Sequence, residues 1–537
     1  MKPTYGLDRY LLLIIVLAAP AWAPLFFPGL FQSHGGLLAV YDVVDLNQAL
    51  QQARFTLGWT PALSDGGPLP FYLAEAPVLL GVGSVVAVKL VFGLGILAAG
   101  LAMYALVRQL WGRRPALLAA VVYTYAPFFL ATIYIRGALA DATAYALIPL
   151  ALWQAHDALT GRWRSLLWLA LTLAALVWTW WELALLVLVL IVAYVLWRAI
   201  SRRAWRALLA TMVALAAGSL LGLLLWLPAL VQGSAYLWPP INAAEHLVYP
   251  FQLLLPTWGR GISIPGPNDT LPFQIGVASL AFAALGLAVL AAARDEAQPA
   301  GEVRPRSYIV FFLLTALAVV ALLWGPLGLL TRYSWQSLGL VSLCLAVVAG
   351  AVVAAWRKPL AQLGPLAALI VAVTLTSYGY LDMPFIDAAH IPAQHPVNAV
   401  LGDDIVLLDY TLAAETLHGS ADLPAVKAGD TVHLTLYWQA VRPVTDDYTV
   451  FTHIIDAQPK QWAGQDNPPV GGTRPTSDWA VGEIIVDEYD LVLDPQTPTG
   501  EVEIEAGMYL PADGRRLVVR TRSGEDLRAV LGRLLVR

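Results

Sequence analysis

Two carboxylates three residues apart, in Tyr41-Asp42-Val43-Val44-Asp45-Leu46-Asn47, carry the first chemical signal in this 537-residue chain. If the stretch is helical, Asp42 and Asp45 share a face, and Val43, Val44 and Leu46 seat the helix near an apolar boundary. Such a pair can act as a general base, can hold a divalent cation, or can be a helix cap followed by a solvated acid. Spacing alone leaves all three open. A second signal is Tyr134-Ile135-Arg136-Gly137-Ala138-Leu139-Ala140-Asp141. A guanidinium suits a phosphate, although pairing of Arg136 with Asp141, or an arginine reaching along apolar surface to water, also accounts for it. Glu182 follows Trp178-Thr179-Trp180-Trp181 at the edge of an apolar run. Acids at membrane depth are costly and often functional, whereas the tryptophans read as an interfacial belt. Further on, one aromatic-rich stretch carries Trp238, Glu245, His246, Tyr249, Trp258, Arg260 and Asp269. His-Glu-x-x-His, P-loop, dinucleotide and nucleophile-elbow patterns are all missing, so the chemistry of soluble enzymes has little support.

The surroundings of these residues are apolar. The chain is 58% hydrophobic and only 13% charged, with mean hydropathy +0.66, where soluble domains carry about 25% charged residues. Charge is also uneven. From Asn398 onward stand 22 of the 37 acidic and 11 of the 32 basic residues, which leaves 15 acidic and 21 basic before it. A basic apolar part and an acidic tail follow, with no surface suited to nucleic acid. The lone cysteine, Cys344, excludes an intrachain disulfide, so the tail must fold on its own core.

Crossing a bilayer takes about 20 apolar residues, and eleven segments qualify: about 10–28, 84–107, 115–133, 141–157, 165–181, 182–199, 206–229, 274–293, 307–330, 337–356 and 363–379. With the N-terminus inside, sixteen Lys and Arg fall on that side, against Arg54, Arg136, Arg260 and Arg332 on the other. Eleven spans then place the tail outside a plasma membrane. Lys2, the first apolar run and Ala21-Trp22-Ala23 also resemble a signal peptide, but Pro24 disfavours cleavage there. Two outward stretches, about 28–83 and 231–273, are too long to be mere connectors and predict ordered, partly re-entrant structure carrying the chemistry.

Beyond Asn398 the pattern alternates as strands do, in Thr431-Val432-His433-Leu434-Thr435-Leu436-Tyr437-Trp438, in Tyr448–Ile455 and in Val502–Tyr509, with turns at Ala428-Gly429-Asp430 and Ala512-Asp513-Gly514. This predicts a β-sandwich. The expected organisation is a multi-span α-helical domain over 1–397 and an extracytoplasmic all-β sandwich over 398–537. Trp438, Trp462 and Trp479 are either a sugar-stacking platform or core residues.

An N-terminal span, an outward loop with Asp42 and Asp45 where relatives often carry HD-x-x-H, and the Pro68–Leu73 segment PLPFYL together resemble the glycosyltransferase C superfamily. The YIRGALAD run at 134–141 resembles the R-G-A-L-A-[ED] element of one prokaryotic branch, often labelled as membrane protein, 6-pyruvoyl-tetrahydropterin synthase-related. Nothing here resembles the three-histidine zinc site of the soluble pterin enzyme. The likeness covers about residues 10–380, and LTLYWQA, YTVFTHIID and PTSDWAVGE in the tail resemble sandwich modules appended to such transferases. The resemblance implies transfer of a sugar from a polyprenyl-phosphate donor to a glycan, lipid or protein acceptor on the outer face, with inversion. By position Asp42 would be the base, Asp45 departs from the usual histidine, and Arg136, Arg260 or Arg332 would hold the phosphate. Asp141, Glu182 and His246 complete the expected site. Relatives differ in their need for a divalent cation, Mg or Mn, and these residues do not decide it. A lipid-linked glycan transporter or an envelope-assembly scaffold is the alternative. Transporters favour paired repeats and helices broken at midplane, and this chain has no clear internal repeat.

Overall fold

The computed structural model describes residues 8–52, 58–232, 237–238, 245–292, 304–324, 333–414, 418–420 and 423–537. Helix α1 (Arg9–Trp22) is followed, outside the bundle, by α2 (Gly36–Gln51) and α3 (Leu69–Val78). The bundle continues through α4 (Ser84–Trp111), α5 (Arg113–Thr124), α6 (Pro127–Tyr134), α7 (Leu139–Ala158), α8 (Trp163–Thr179), α9 (Trp181–Arg202) and α10 (Trp205–Gln232). After the short α11 (Pro250–Leu254) come α12 (Val277–Ala291), α13 (Pro305–Leu322), α14 (Leu338–Ala355), the single turn α15 (Arg357–Leu360) and α16 (Leu363–Leu375).

Each expected apolar segment is therefore largely helical over its described residues; 293 and 325–330 lie outside them. Among the described residues six helices are long and apolar enough to cross a membrane, and α5 with α6 makes a seventh, bent by 44°. The bend has a local cause: Pro127 opens α6, and a proline restricts the residue before it and has no N–H to continue a helix. Helices α8, α12 and α16 are shorter. Leucines face outward along α10 and α13, while α14 is buried along nearly its whole length at the bundle centre. The chain is a multi-pass membrane protein. One end of the bundle is fastened by Asp8, which caps α1 and pairs with Arg108 at 3.0 Å and Arg113 at 3.4 Å.

The link to the tail is stitched onto the segment between α1 and α2. Strand β1 (Leu30–Phe31) pairs antiparallel with β2 (Phe385–Ile386). Thirteen strands then form the sandwich: β3 (Pro396–Leu401), β4 (Ile405–Ala414), β5 (His418–Ser420), β6 (Leu423–Val426), β7 (Thr431–Ala440), β8 (Thr449–Ile455), β9 (Gln461–Asn467), β10 (Ile484–Val492), β11 (Gly500–Leu510), β12 (Arg515–Arg516), β13 (Val519–Thr521), β14 (Gly524–Asp526) and β15 (Ala529–Val536). One sheet runs β10-β7-β4-β3-β13-β14 and the other β5-β6-β15-β11-β8-β9, with β12 beside β11. Alternate residues of β7 and β11 fill the space between them.

Strand β4 has a second role. Its Ile405-Val406-Leu407-Leu408 run is buried on both faces, because Ile405 and Leu407 pack inside the sandwich while Val406 and Leu408 join the apolar core that includes Tyr41 of α2. The alternation of a strand gives the two faces, and a bulge between Leu407 and Asp409 then brings Asp409 onto the same face as Val406 and Leu408. Buried Asp409 then accepts the N–H groups of Gln394 and His395, both at 2.9 Å, and the hydroxyl of Tyr41 at 3.5 Å.

The tryptophan platform is not formed. Trp438 is fully buried in the sandwich core, Trp479 is buried and donates to the Arg474 carbonyl, and Trp462 lies under Lys460. The apolar environment of β7 thus outcompetes ring exposure. Trp438→Ala is expected to cost about 3–5 kcal/mol in denaturant unfolding of the whole protein, with Trp438→Phe costing clearly less.

Candidate functional site

A cavity of about 610 Å³ opens where the loops around residues 34–65 and 238–271, the Arg136–Leu139 link into α7 and the sandwich meet. Its chemistry-bearing wall residues are His34, Asp65, Arg136, His246, Asp404 and Arg442, with Trp238 and Trp335 among its rings.

Arg136 sits where the turn ahead of α2 locks onto the end of α6. His34 N donates to Ile135 O at 2.9 Å and Gly35 N to Arg136 O at 2.8 Å. Gly137 adopts φ +62°, and a β-carbon there would lie 2.3 Å from Gly36 N, so this contact requires glycine. The Arg136 side chain is buried, bonds Asp141 through one nitrogen, and stacks 4.5 Å over the Trp335 ring. Among the described residues its other N–H groups meet no acceptor, and neither does the indole N–H of Trp335. The unmatched N–H groups of Arg136 in the cavity wall, with the enclosed and equally unmatched Trp335 N–H in the ring beneath them, form a place for an anionic oxygen.

Asp42 and Asp45 do share a face, and both grip the protein's own loop. Asp42 is fully buried: Oδ1 accepts from Ala62 N at 2.8 Å and Leu63 N at 3.2 Å, and Oδ2 from Ser64 N at 2.8 Å. Asp45 Oδ2 accepts from Trp59 Nε1 at 2.8 Å and from Arg522 of the sandwich at 2.7 Å. Neither carboxylate lines the cavity. The Asp42 oxygens are engaged by the backbone amides of Ala62, Leu63 and Ser64, so this carboxylate stands behind the loop and not in the cavity wall. The acid that this loop delivers to the cavity is Asp65. Gly66 and Gly67 follow it. A β-carbon on Gly66 would lie 2.3 Å from Ala140 Cβ, and one on Gly67 2.2 Å from Trp178 O, so the loop lies directly on the ends of α7 and α8.

Burial pushes the Asp42 carboxyl from 3.8 up to about 6, against the pull of Ser64 and the amides. A folded-state value above the unfolded one means that ionising Asp42 lowers stability as pH rises from about 4 to 6. Asp42→Asn is expected to flatten that slope. At pH 7 it should also cost about 1–3 kcal/mol, since an amide NH₂ would face an N–H donor. Thermal unfolding across pH reads both.

The other expected residues separate. Asp141 is the partner of Arg136, and its second oxygen has no hydrogen-bond partner. Glu182 stands at the start of α9 beside Trp180, whose indole donates to it at 3.4 Å, and it does not line the cavity. His246 lines the cavity, lies 3.2 Å from Ser263 Oγ, and is held below its usual pKa by burial. Arg260 is a clasp for backbone carbonyls, with Gln32 O at 3.0 Å, Tyr134 O at 3.3 Å and Asp382 O at 3.3 Å, so its donors are engaged away from the cavity. Arg332 lies outside the described residues. Among the described residues no three His, Cys, Asp or Glu side chains gather as a metal site.

His34, Asp65, Trp335, Asp404 and Arg442 escape the motif reading. Asp65 sits in Ser-Asp-Gly-Gly, which reads as a turn, and Asp404 and Arg442 lie in turns of a separate domain. For His34 the only available signal was its place beside Gly35-Gly36 ahead of α2.

No family model matches the sequence. No curated protein matches it either. Among solved structures the chain is similar to ArnT from Cupriavidus metallidurans bound to undecaprenyl phosphate, at 17% identity and TM-score 0.42 over 73% of this chain and 68% of that one. The apo state of ArnT from the same organism gives 12% identity and TM-score 0.35, over 65% of this chain and 78% of that one. The arabinosyltransferase EmbB from Mycobacterium smegmatis gives 9% identity and TM-score 0.40, over 100% of this chain and 66% of that one. Scores and identities this low assign no residue and no activity to this chain.

Proposed function

We propose that the chain is a glycosyltransferase of the C type, moving a sugar from a polyprenyl-phosphate donor to an acceptor on the extracytoplasmic face, with inversion. One observation carries the reading: Arg136 and the Trp335 indole N–H, both without a full set of acceptors, share a cavity with the Asp65 carboxylate at one end of a membrane bundle. The basic residues Arg108 and Arg113 gather at Asp8, outside that cavity, which fits a cytoplasmic N-terminal end and an outer cavity.

In this account Arg136 and Trp335 hold the lipid phosphate, with the prenyl chain lying along the bundle. Asp65 takes the proton of an acceptor hydroxyl, whose oxygen attacks the anomeric carbon. The bond from that carbon to the phosphate oxygen breaks, and the polyprenyl phosphate leaves with the added charge facing Arg136 and the indole N–H. Asp42 is a positioning residue, holding the loop that presents Asp65. No step is routed through a cation.

Trp335→Phe tests the phosphate placement, because it keeps an aromatic ring under Arg136, though a smaller one, and removes the N–H donor. Affinity for polyprenyl phosphate is expected to fall about tenfold or more, the scale of a hydrogen bond to a charged group. Unchanged affinity would move the phosphate elsewhere.

A further inference from the structure

The sandwich supplies part of the cavity wall. The Gly402–Asp404 turn joins β3 to β4 and the Val441–Pro443 turn follows β7, and Asp403, Asp404 and Arg442 line the same space as Asp65 and Arg136. Both turns are tied down. Val441 N donates to Asp404 O at 2.8 Å, and Arg520 donates to Gly402 O at 2.6 Å and Asp403 Oδ1 at 3.0 Å.

The wall is also fixed to the bundle. Val400, Val406 and Leu408 are buried in the same apolar core as α2. Arg522 donates to Asp45 at 2.7 Å and Thr60 O at 2.8 Å. Gly482 adopts φ +81°, and a β-carbon there would lie 2.6 Å from Ser33 O, beside His34. Separating the two parts would expose that apolar core, so the wall is a permanent part of the cavity.

Charge divides the space. Around Arg136 and Trp335 the open groups are donors, which favours a phosphate. At the sandwich wall Asp403 is paired with Arg520 at 3.0 Å and Asp404 stands with Arg442, so no surplus positive charge is left for a second anion. Among the described residues the side chains of Asp404 and Arg442 bond no neighbour, although each is half-buried. A carboxylate accepts from neighbouring hydroxyls and a guanidinium donates to hydroxyl and ring oxygens. Trp238 lines the cavity with its nitrogen committed to Leu63 O at 2.9 Å, which leaves it an apolar ring surface.

We infer that Asp404 and Arg442 form a subsite for a neutral, hydroxyl-rich carbohydrate, which makes the sandwich the part that selects the acceptor. The word acceptor rests on the glycosyltransferase reading, whereas the carbohydrate subsite does not. The test uses the full-length protein in nanodiscs, titrated separately with maltotriose, cellotriose, mannotriose and polyprenyl phosphate. At least one trisaccharide is expected to bind saturably. Asp404→Asn and Arg442→Gln should each weaken it about tenfold while leaving polyprenyl-phosphate affinity unchanged. No trisaccharide binding to the unmodified protein, or binding indifferent to both substitutions, overturns the inference. So does an equal loss of both ligands that Asp404→Glu and Arg442→Lys also show. Trisaccharide binding without transfer from any polyprenyl donor keeps the subsite and removes the transferase reading; transfer whose acceptor KM ignores both substitutions does the reverse.

Discussion

Asp65→Asn is expected to lower the proposed sugar transfer by about 10²–10⁴-fold in kcat and to shift stability by less than about 1 kcal/mol. The two effects separate because Asp65 is a half-buried wall residue of the cavity, whereas the carboxylate that orders its loop is Asp42. Asparagine is close in shape to aspartate, so the turn ahead of Gly66 and Gly67 keeps its path along α7 and α8. What it lacks is the ability to take a proton from an acceptor hydroxyl. Asp42→Asn reverses the pattern, with stability falling first and activity following as the loop loosens. Full activity in Asp65→Asn would return the base to another wall carboxylate, and Asp404 would be the next to test.

Arg136→Ala is expected to destabilise the fold as much as Trp438→Ala. The guanidinium neutralises Asp141, which is fully buried and has one oxygen already without a partner. Removing it leaves an uncompensated buried charge, at about 3–5 kcal/mol. Adding Asp141→Asn should restore most of that stability. It should not restore the donor site, so polyprenyl-phosphate affinity in the double variant is expected to fall about 10–100-fold, as one or two charge-assisted hydrogen bonds would give. Arg136→Lys should fall between, because an ammonium keeps the charge but loses the planar stack on Trp335 and the forked donors. Restored donor affinity in the double variant would reduce Arg136 to a structural partner of Asp141.

The bundle was legible because its signal is simple. The described part of each long apolar run became helical, but the 44° break ahead of Pro127, inside the run read as one span over 115–133, was not legible, because Pro149 and Pro228 sit within helices. Strand alternation likewise announced the sandwich. The face shared by Asp42 and Asp45 was legible too, but the sequence could not say that this face would meet residues 59–64 rather than a substrate. Arg136 stood out because an arginine at the outer edge of an apolar run needs a reason. Arg260 looked similar, yet its partners are carbonyls at Gln32, Tyr134 and Asp382, far away in the chain. Asp65 hid in a turn signature, and its delivery to the cavity depends on glycine contacts with Ala140 and Trp178. The sandwich wall was invisible for the same reason. Nothing local in Gly402-Asp403-Asp404 says that it will face a loop more than three hundred residues earlier.

The most direct measurement is donor consumption. Purified protein is incubated with a panel of polyprenyl-phosphate sugars, and release of polyprenyl phosphate is followed with Asp65→Asn in parallel. The expected result is consumption of at least one donor and its loss in the variant. Saturable polyprenyl-phosphate binding without consumption of any donor would favour a carrier over an enzyme. Neither binding nor consumption would contradict the account altogether and leave the assembly scaffold as the better description.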